Sequence, residues 1–146
     1  MTDTDNMRIA RESIGAWNAH DPEHLVKLLA KEYVAESDTL SVPTRGHEGA
    51  RQVMKTYVRA FPDLHFDVEQ MLASGDHVVT RWRATGTHRG ELMGVQPTNR
   101  HAETHGCTVG EFKNHKIVRE WLYWDTGNLL RQLGVLPTAA PAPAGR

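Results

Sequence analysis

The spacing of apolar residues along this chain makes its main change at Phe61-Pro62-Asp63, from a mostly helical to a mostly alternating period. A chain patterned in that way places its helices first and its strands second. In the first part, Met7, Ile9, Ala10, Ile14 and Trp17 predict a helix over Met7–Asn18, with Asp5 or Asn6 as its cap. Asp21-Pro22-Glu23-His24 offers a cap, a proline at the first helical position and an acidic residue, and Leu25, Val26, Leu28 and Leu29 form the stripe of a second helix. Tyr33 to Leu40 reads as a short irregular strand and Thr44 to Gly49 as a turn. Val53, Met54, Tyr57, Val58 and Phe61 mark a third helix from Ala50, which Pro62 ends.

Beyond Pro62 the period is that of strands. Leu64, Phe66, Val68 and Met71-Leu72 alternate with polar residues up to Ser74-Gly75-Asp76, and His77 to Thr85 returns as the partner of a hairpin. His101 to Phe112 and Ile117 to Trp124 form a second hairpin, turning at Lys113-Asn114-His115-Lys116. Asp125 then caps a short helix, Asn128 to Leu133, that stops at Gly134. The expectation is an α+β fold in which three helices cover one face of a curved four-strand antiparallel meander, leaving a conical pocket.

Composition narrows the class of function. Basic and acidic residues nearly balance, 17 against 18, so a nucleic-acid partner is not expected. Cys107 is the single cysteine, which excludes an internal disulfide and fits a cytoplasmic location. No apolar run is long enough for a transmembrane helix, and no secretory signal is seen at Met1 to Met7. One domain is expected over residues 1–136, followed by a disordered Pro/Ala-rich tail over 137–146. There is no phosphate-cradling glycine loop and no nucleophile elbow.

Several short motifs occur in a particular order: Ala16-Trp17-Asn18 with Asp21, Arg45-Gly46-His47-Glu48-Gly49, Ala60-Phe61-Pro62-Asp63, Gly86-Thr87-His88-Arg89-Gly90, Gly94-Val95-Gln96-Pro97-Thr98, and Trp124-Asp125 with Arg131-Gln132-Leu133-Gly134. From Met7 to Leu136 the chain resembles the SnoaL-like polyketide cyclases, which lie within the nuclear transport factor 2-like (cystatin-like) cone superfamily. The resemblance implies the cone fold and a small hydrophobic or polycyclic, polyketide-like ligand. It also implies cofactor-independent ring closure of the intramolecular aldol type, with no metal. Relatives that hydroxylate polyketides make a hydroxylase, isomerase or epoxide-opening enzyme the alternative, and a non-catalytic ligand-binding module a third.

An aldol closure needs a base for an acidic C–H proton and a donor for the enolate. In the family's cyclases the base is an aspartate on the last strand, and the resemblance places its position at Leu122. Glu120 shares a strand face with Leu122 and is the first candidate base. Asp125 is the second, although it falls on the opposite face where a helix cap belongs. His88, at a strand end near the expected cavity mouth, is the candidate donor, with turn stabilisation as its other reading. An arginine turned inward, Arg81 or Arg119 against Glu36 or Glu120, would instead favour the alternative chemistries.

Trp17, Trp82 and Trp124 are candidates to line the pocket, with core packing as their other reading, and Leu122 and Thr108 join them; Glu36 and Asp38 are further polar candidates, with exposure as their other reading. Thr104, Gly106, Thr108 and Gly110 share one face, where small side chains would widen the cavity. The opposite face carries His105, Cys107, Val109, Trp121 and Tyr123, and is expected to bury a second copy in a homodimer. His101, Glu103, His105 and Cys107 would also permit a metal site, but such sites need several converging ligands, and no metal is assigned.

Overall fold

The computed structural model describes residues 2–137, so the expected tail lies, from residue 138 on, outside the described residues. Helix α1 (Asp3–Asn18) begins a turn earlier than its apolar stripe. Thr2 is the cap, and its hydroxyl and the Asp5 carboxylate answer each other's backbone N–H in a capping box. Asn6 is buried and donates to the Gly75 carbonyl, tying α1 to the first hairpin turn.

Helix α2 (Pro22–Lys27) is capped by Asp21 as the sequence suggests, but it stops before Leu29. Leu29 opens strand β1 (Leu29–Ser37), four residues before the expected strand. The reason is long-range: Leu29 pairs with Ile117 of strand β6 (Lys116–Trp124), and the Ile117 N–H donates to the Leu28 carbonyl. The expected turn at Thr44 to Gly49 divides into a two-residue strand β2 (Thr44–Arg45) and the first turn of α3 (Gly46–Ala60).

The second half follows its alternating pattern. Strands β3 (His65–Ser74), β4 (His77–Thr87), β5 (His101–Lys113) and β6 form the expected antiparallel meander. The sheet is wider than that meander, with six strands in the order β2-β1-β6-β5-β4-β3 and β1 running parallel to β6. Between β5 and β6, Asn114 and His115 both have positive φ, the geometry that a tight right-twisting hairpin demands. Register shifts between Val68 and Gln70 and between Glu111 and Phe112 bend the sheet.

Helix α1 packs on β3 and β4, α3 on β1 and β2, and the closing helix α4 (Thr126–Gln132) on β5. Buried Ile9, Leu25, Met54, Val78, Phe112 and Ile117 seal the narrow end. A second cluster, including Phe61, Leu64, Leu92 and Leu129, seals the flank below the β4–β5 loop. Burying each such side chain fully contributes about 1.5–3 kcal/mol. The helices and the curved sheet cannot meet everywhere, and the space they leave is the site.

Candidate functional site

Inside the cone lies a cavity of about 190 Å³, walled mainly by apolar side chains of every helix and of strands β1, β3, β4, β5 and β6. A second hollow beside Gln52, Thr56, Leu92 and Met93 shares Thr39, Leu40, Val53 and Tyr57 with it, and marks the side where α3, the β1–β2 segment and the β4–β5 loop meet. Among the described residues that line the cavity Glu120 is the one with a formal charge, and none is Lys, Arg or His.

Strand alternation turns Glu120, Leu122 and Trp124 of β6 inward, and all three line the cavity. Parallel pairing sets Ala35 of β1 beside Glu120, which brings Tyr33, two residues earlier, over the same carboxyl. The Tyr33 hydroxyl donates to Glu120 Oε1 at 2.5 Å. Enclosure by apolar walls pushes the Glu120 carboxyl above the usual carboxylate range, and the Tyr33 hydrogen bond draws it part of the way back. Burial and the neighbouring carboxylate push the Tyr33 phenol well above its ordinary value. A carboxyl held in this way is a stronger base than one in water once ionised.

Aromatic rings form the rest of the wall. Trp82 meets Phe66 edge to face at 5.2 Å, Phe66 meets Trp17 at 5.8 Å, and Trp124 meets Tyr57 at 6.3 Å. The Trp82 indole N–H donates to Thr108 Oγ1 at 2.9 Å. Thr104, Thr108 and Gly110 line the cavity as expected, but Gly106 does not widen it. A Cβ at Gly106 would sit 2.3 Å from the Trp82 ring, so the missing side chain is the seat of the indole.

Four other sequence candidates, His88, Asp125, Glu36 and Asp38, do not line the cavity. His88 is fully buried against Phe61; its Nδ1 accepts from the Thr98 N–H and meets the Thr98 hydroxyl, while its backbone pairs with Asn99 and Arg100, so it closes the base of the β4–β5 loop. Asp125 is exposed, accepts from the Asn128 N–H as the cap of α4, and lies 3.7 Å from Arg131. Glu36 points to the outer sheet face, 3.2 Å from Arg119, because alternation along β1 gives the inner face to Tyr33, Ala35 and Ser37. Asp38 is exposed.

Arg81 pairs with Glu69 on that outer face too, so neither arginine turns inward. Among the described residues no three His, Cys, Asp or Glu side chains gather as a metal site. Glu103 pairs with Arg83, His105 lies 3.9 Å from Glu69, and His101 meets Thr87. Tyr33 and Tyr57 are among the lining residues that sequence reasoning missed. The alternation Tyr33, Ala35, Ser37 was the available signal, but its meaning depends on β1 lying against β6.

The sequence pattern of the SnoaL-like polyketide cyclases matches residues 7–133. The chain belongs to that family. Solved structures of the family share the same architecture. AclR from Streptomyces galilaeus, described as a candidate hydroxylase, is 30% identical, with a TM-score of 0.84 over 95% of this chain and 87% of its own. IdmH from Streptomyces antibioticus, described as a candidate polyketide cyclase, is 32% identical, with a TM-score of 0.78 over 89% of this chain and 99% of its own. A nuclear transport factor 2-like protein from Burkholderia xenovorans, 19% identical, has a TM-score of 0.72 over 91% and 98%, which carries the fold alone. No curated protein sequence matches the chain. This SnoaL-like protein thus has the cone of its family, and its cavity carboxylate stands at Glu120, one inward-facing position before Leu122.

Proposed function

We propose that this SnoaL-like protein is a cofactor-independent cyclase that closes a ring in a polyketide-like ligand by intramolecular aldol chemistry, with Glu120 as its base. The observation that carries the reading is a lone carboxyl in an apolar cavity, raised by desolvation and held at one oxygen by Tyr33. Glu120 takes a proton from a carbon beside a carbonyl, and the C–H electron pair becomes an enolate. The enolate carbon attacks a second carbonyl of the same molecule, forming the C–C bond, and the resulting alkoxide takes the proton back from Glu120. No co-reactant is consumed.

Trp17, Trp82, Trp124 and Leu122 supply flat apolar walls that suit an aromatic or polycyclic skeleton. Because no cationic side chain among the described residues lines the cavity, a neutral ligand is favoured. The outward position of Arg81, Arg119 and Glu36 supports a cyclase over the alternative chemistries. AclR, at 30% identity, is the observation that keeps a hydroxylase as the second reading. A second copy on the outer sheet face belongs to the proposal, since Leu72 and Tyr123 are 58% and 56% exposed there.

The test is hydrogen exchange at the acidic carbon of 2-tetralone in deuterated water. Glu120→Gln should slow the protein-catalysed exchange by roughly 10²–10⁴-fold. Exchange at the wild-type rate would remove Glu120 from the mechanism.

A further inference from the structure

An enolate formed beside Glu120 needs a hydrogen-bond donor, and His88, buried outside the cavity, cannot reach it. Tyr33 is not free for that task either, because its one hydroxyl proton is given to Glu120 Oε1. Glu120 Oε2 is therefore the oxygen left to face a ligand. The donor has to be found among the remaining polar atoms of the wall.

Thr108 is distinguished from the other wall hydroxyls by its partner. An indole N–H can only donate, so Thr108 Oγ1 must accept from Trp82. Among the described residues the Thr108 hydroxyl donates to no acceptor, and its proton is available to the cavity that it lines. An accepted hydrogen bond also polarises a hydroxyl and strengthens the bond that it donates.

Placement is set by register. Gly110 of β5 is opposite Glu120 and Thr108 is opposite Leu122, so Thr108 and Glu120 are diagonal neighbours on the inner face. Such neighbours lie roughly 7–8 Å apart, their Cβ atoms somewhat closer. That gap takes one C–H carbon and the carbonyl oxygen next to it when each lies within roughly 3 Å of its protein partner.

We propose that Thr108 is the catalytic hydrogen-bond donor to the ligand carbonyl oxygen that becomes the enolate, and that Trp82 is the positioning residue that aims it. The proposal rests on the reading of Glu120 as base, which it completes. As the proton passes from the ligand carbon to Glu120 Oε2, the electron pair moves onto the carbonyl oxygen, where the Thr108 hydrogen bond strengthens. Trp82 is itself held by the Phe66 edge and by the empty face of Gly106.

The test reads the carbonyl stretch of bound 2-acetonaphthone by infrared difference spectroscopy. In the wild-type protein the band should move to lower wavenumber than in an apolar solvent. Thr108→Val should abolish the shift and weaken binding about tenfold, the worth of one hydrogen bond. Thr108→Ser should restore both, and Trp82→Phe should broaden the band. A band identical in wild type and T108V overturns the assignment of Thr108; a band as sharp and as shifted in W82F as in wild type overturns that of Trp82. Glu120→Gln should leave the band in place, so a failure of the base in the exchange experiment is separable from a failure of the donor.

Discussion

Tyr33 and Glu120 lie 87 positions apart in the chain, and the hydroxyl of one stands 2.5 Å from a carboxylate oxygen of the other. The contact exists because β1 enters the sheet parallel to β6 with Ala35 beside Glu120. It holds one carboxylate oxygen, Oε1, and leaves Oε2 without a hydrogen bond among the described residues. It also opposes the desolvation that raises the titration of the group.

Tyr33→Phe removes the opposing effect and leaves burial alone. Among the described residues that line the cavity one other side chain is titratable, Tyr57 of α3; the remaining lining residues are neutral. Glu120 should therefore titrate higher in Y33F than in the wild-type protein. Carbon NMR of carboxyl-labelled glutamate, with Glu120 assigned through Glu120→Gln, measures the change. A titration that stays in place or falls would show that Tyr33 does not govern the base.

Stability should carry the same signature. A carboxyl whose titration is raised on folding contributes stability that is fully present below its unfolded value of about 4.5 and is lost as pH rises through the folded value. Glu120→Gln keeps an acceptor for Tyr33 and cannot ionise. Its melting temperature should exceed that of the wild type by a few degrees near neutral pH, and the two should converge toward pH 4. Thermal melts across that range would show no crossing or widening if Glu120 were ordinarily solvated.

Gly106→Ala tests the seat of Trp82. The added methyl would meet the indole at 2.3 Å, and the ring must shift or the strand must yield. A cost of about 1–3 kcal/mol is expected, as for other overpacked sites. Denaturant titration reports the loss, and tryptophan fluorescence should report the displaced ring. An unchanged spectrum and midpoint would mean that the glycine is not what positions Trp82.

Ligand charge should matter more than ligand shape. Methyl 2-naphthoate and 2-naphthoate differ little in ring and size, but the anion would enter a cavity lined, among the described residues, by a carboxyl and no cation. The ester should bind at least about tenfold more tightly, a difference of roughly 1.4 kcal/mol. Quenching of Trp17, Trp82 and Trp124 provides the measurement. Equal affinities would contradict the neutral-ligand reading.

The outer sheet face offers a separate test of assembly. Tyr123 is exposed there, Arg119 lies 5.4 Å from the Trp121 ring, and Arg83 bridges Asp67 and Glu103 on the same face. If a second copy covers this face, Tyr123→Asp should halve the mass seen by light scattering. A wild-type protein that is already monomeric would remove the dimer from the proposal.

Much of this molecule was legible in local pattern. The helical period before Pro62, the alternation after it, Asp21 and Asp125 as caps, and the two hairpins depend on neighbours close in sequence, so propensity and periodicity report them. Alternation also placed Glu120, Leu122, Trp82, Trp124 and Thr108 on inward faces. Tertiary structure decided what no local rule contains. Pairing with β6 took Leu29 from a helix into a strand and set Tyr33 on Glu120. Packing against Phe61 withdrew His88 from the mouth, and the ring of Trp82 filled the space that Gly106 was expected to leave open. Each of these depends on a contact between distant segments, whose energy is realised only when the sheet closes.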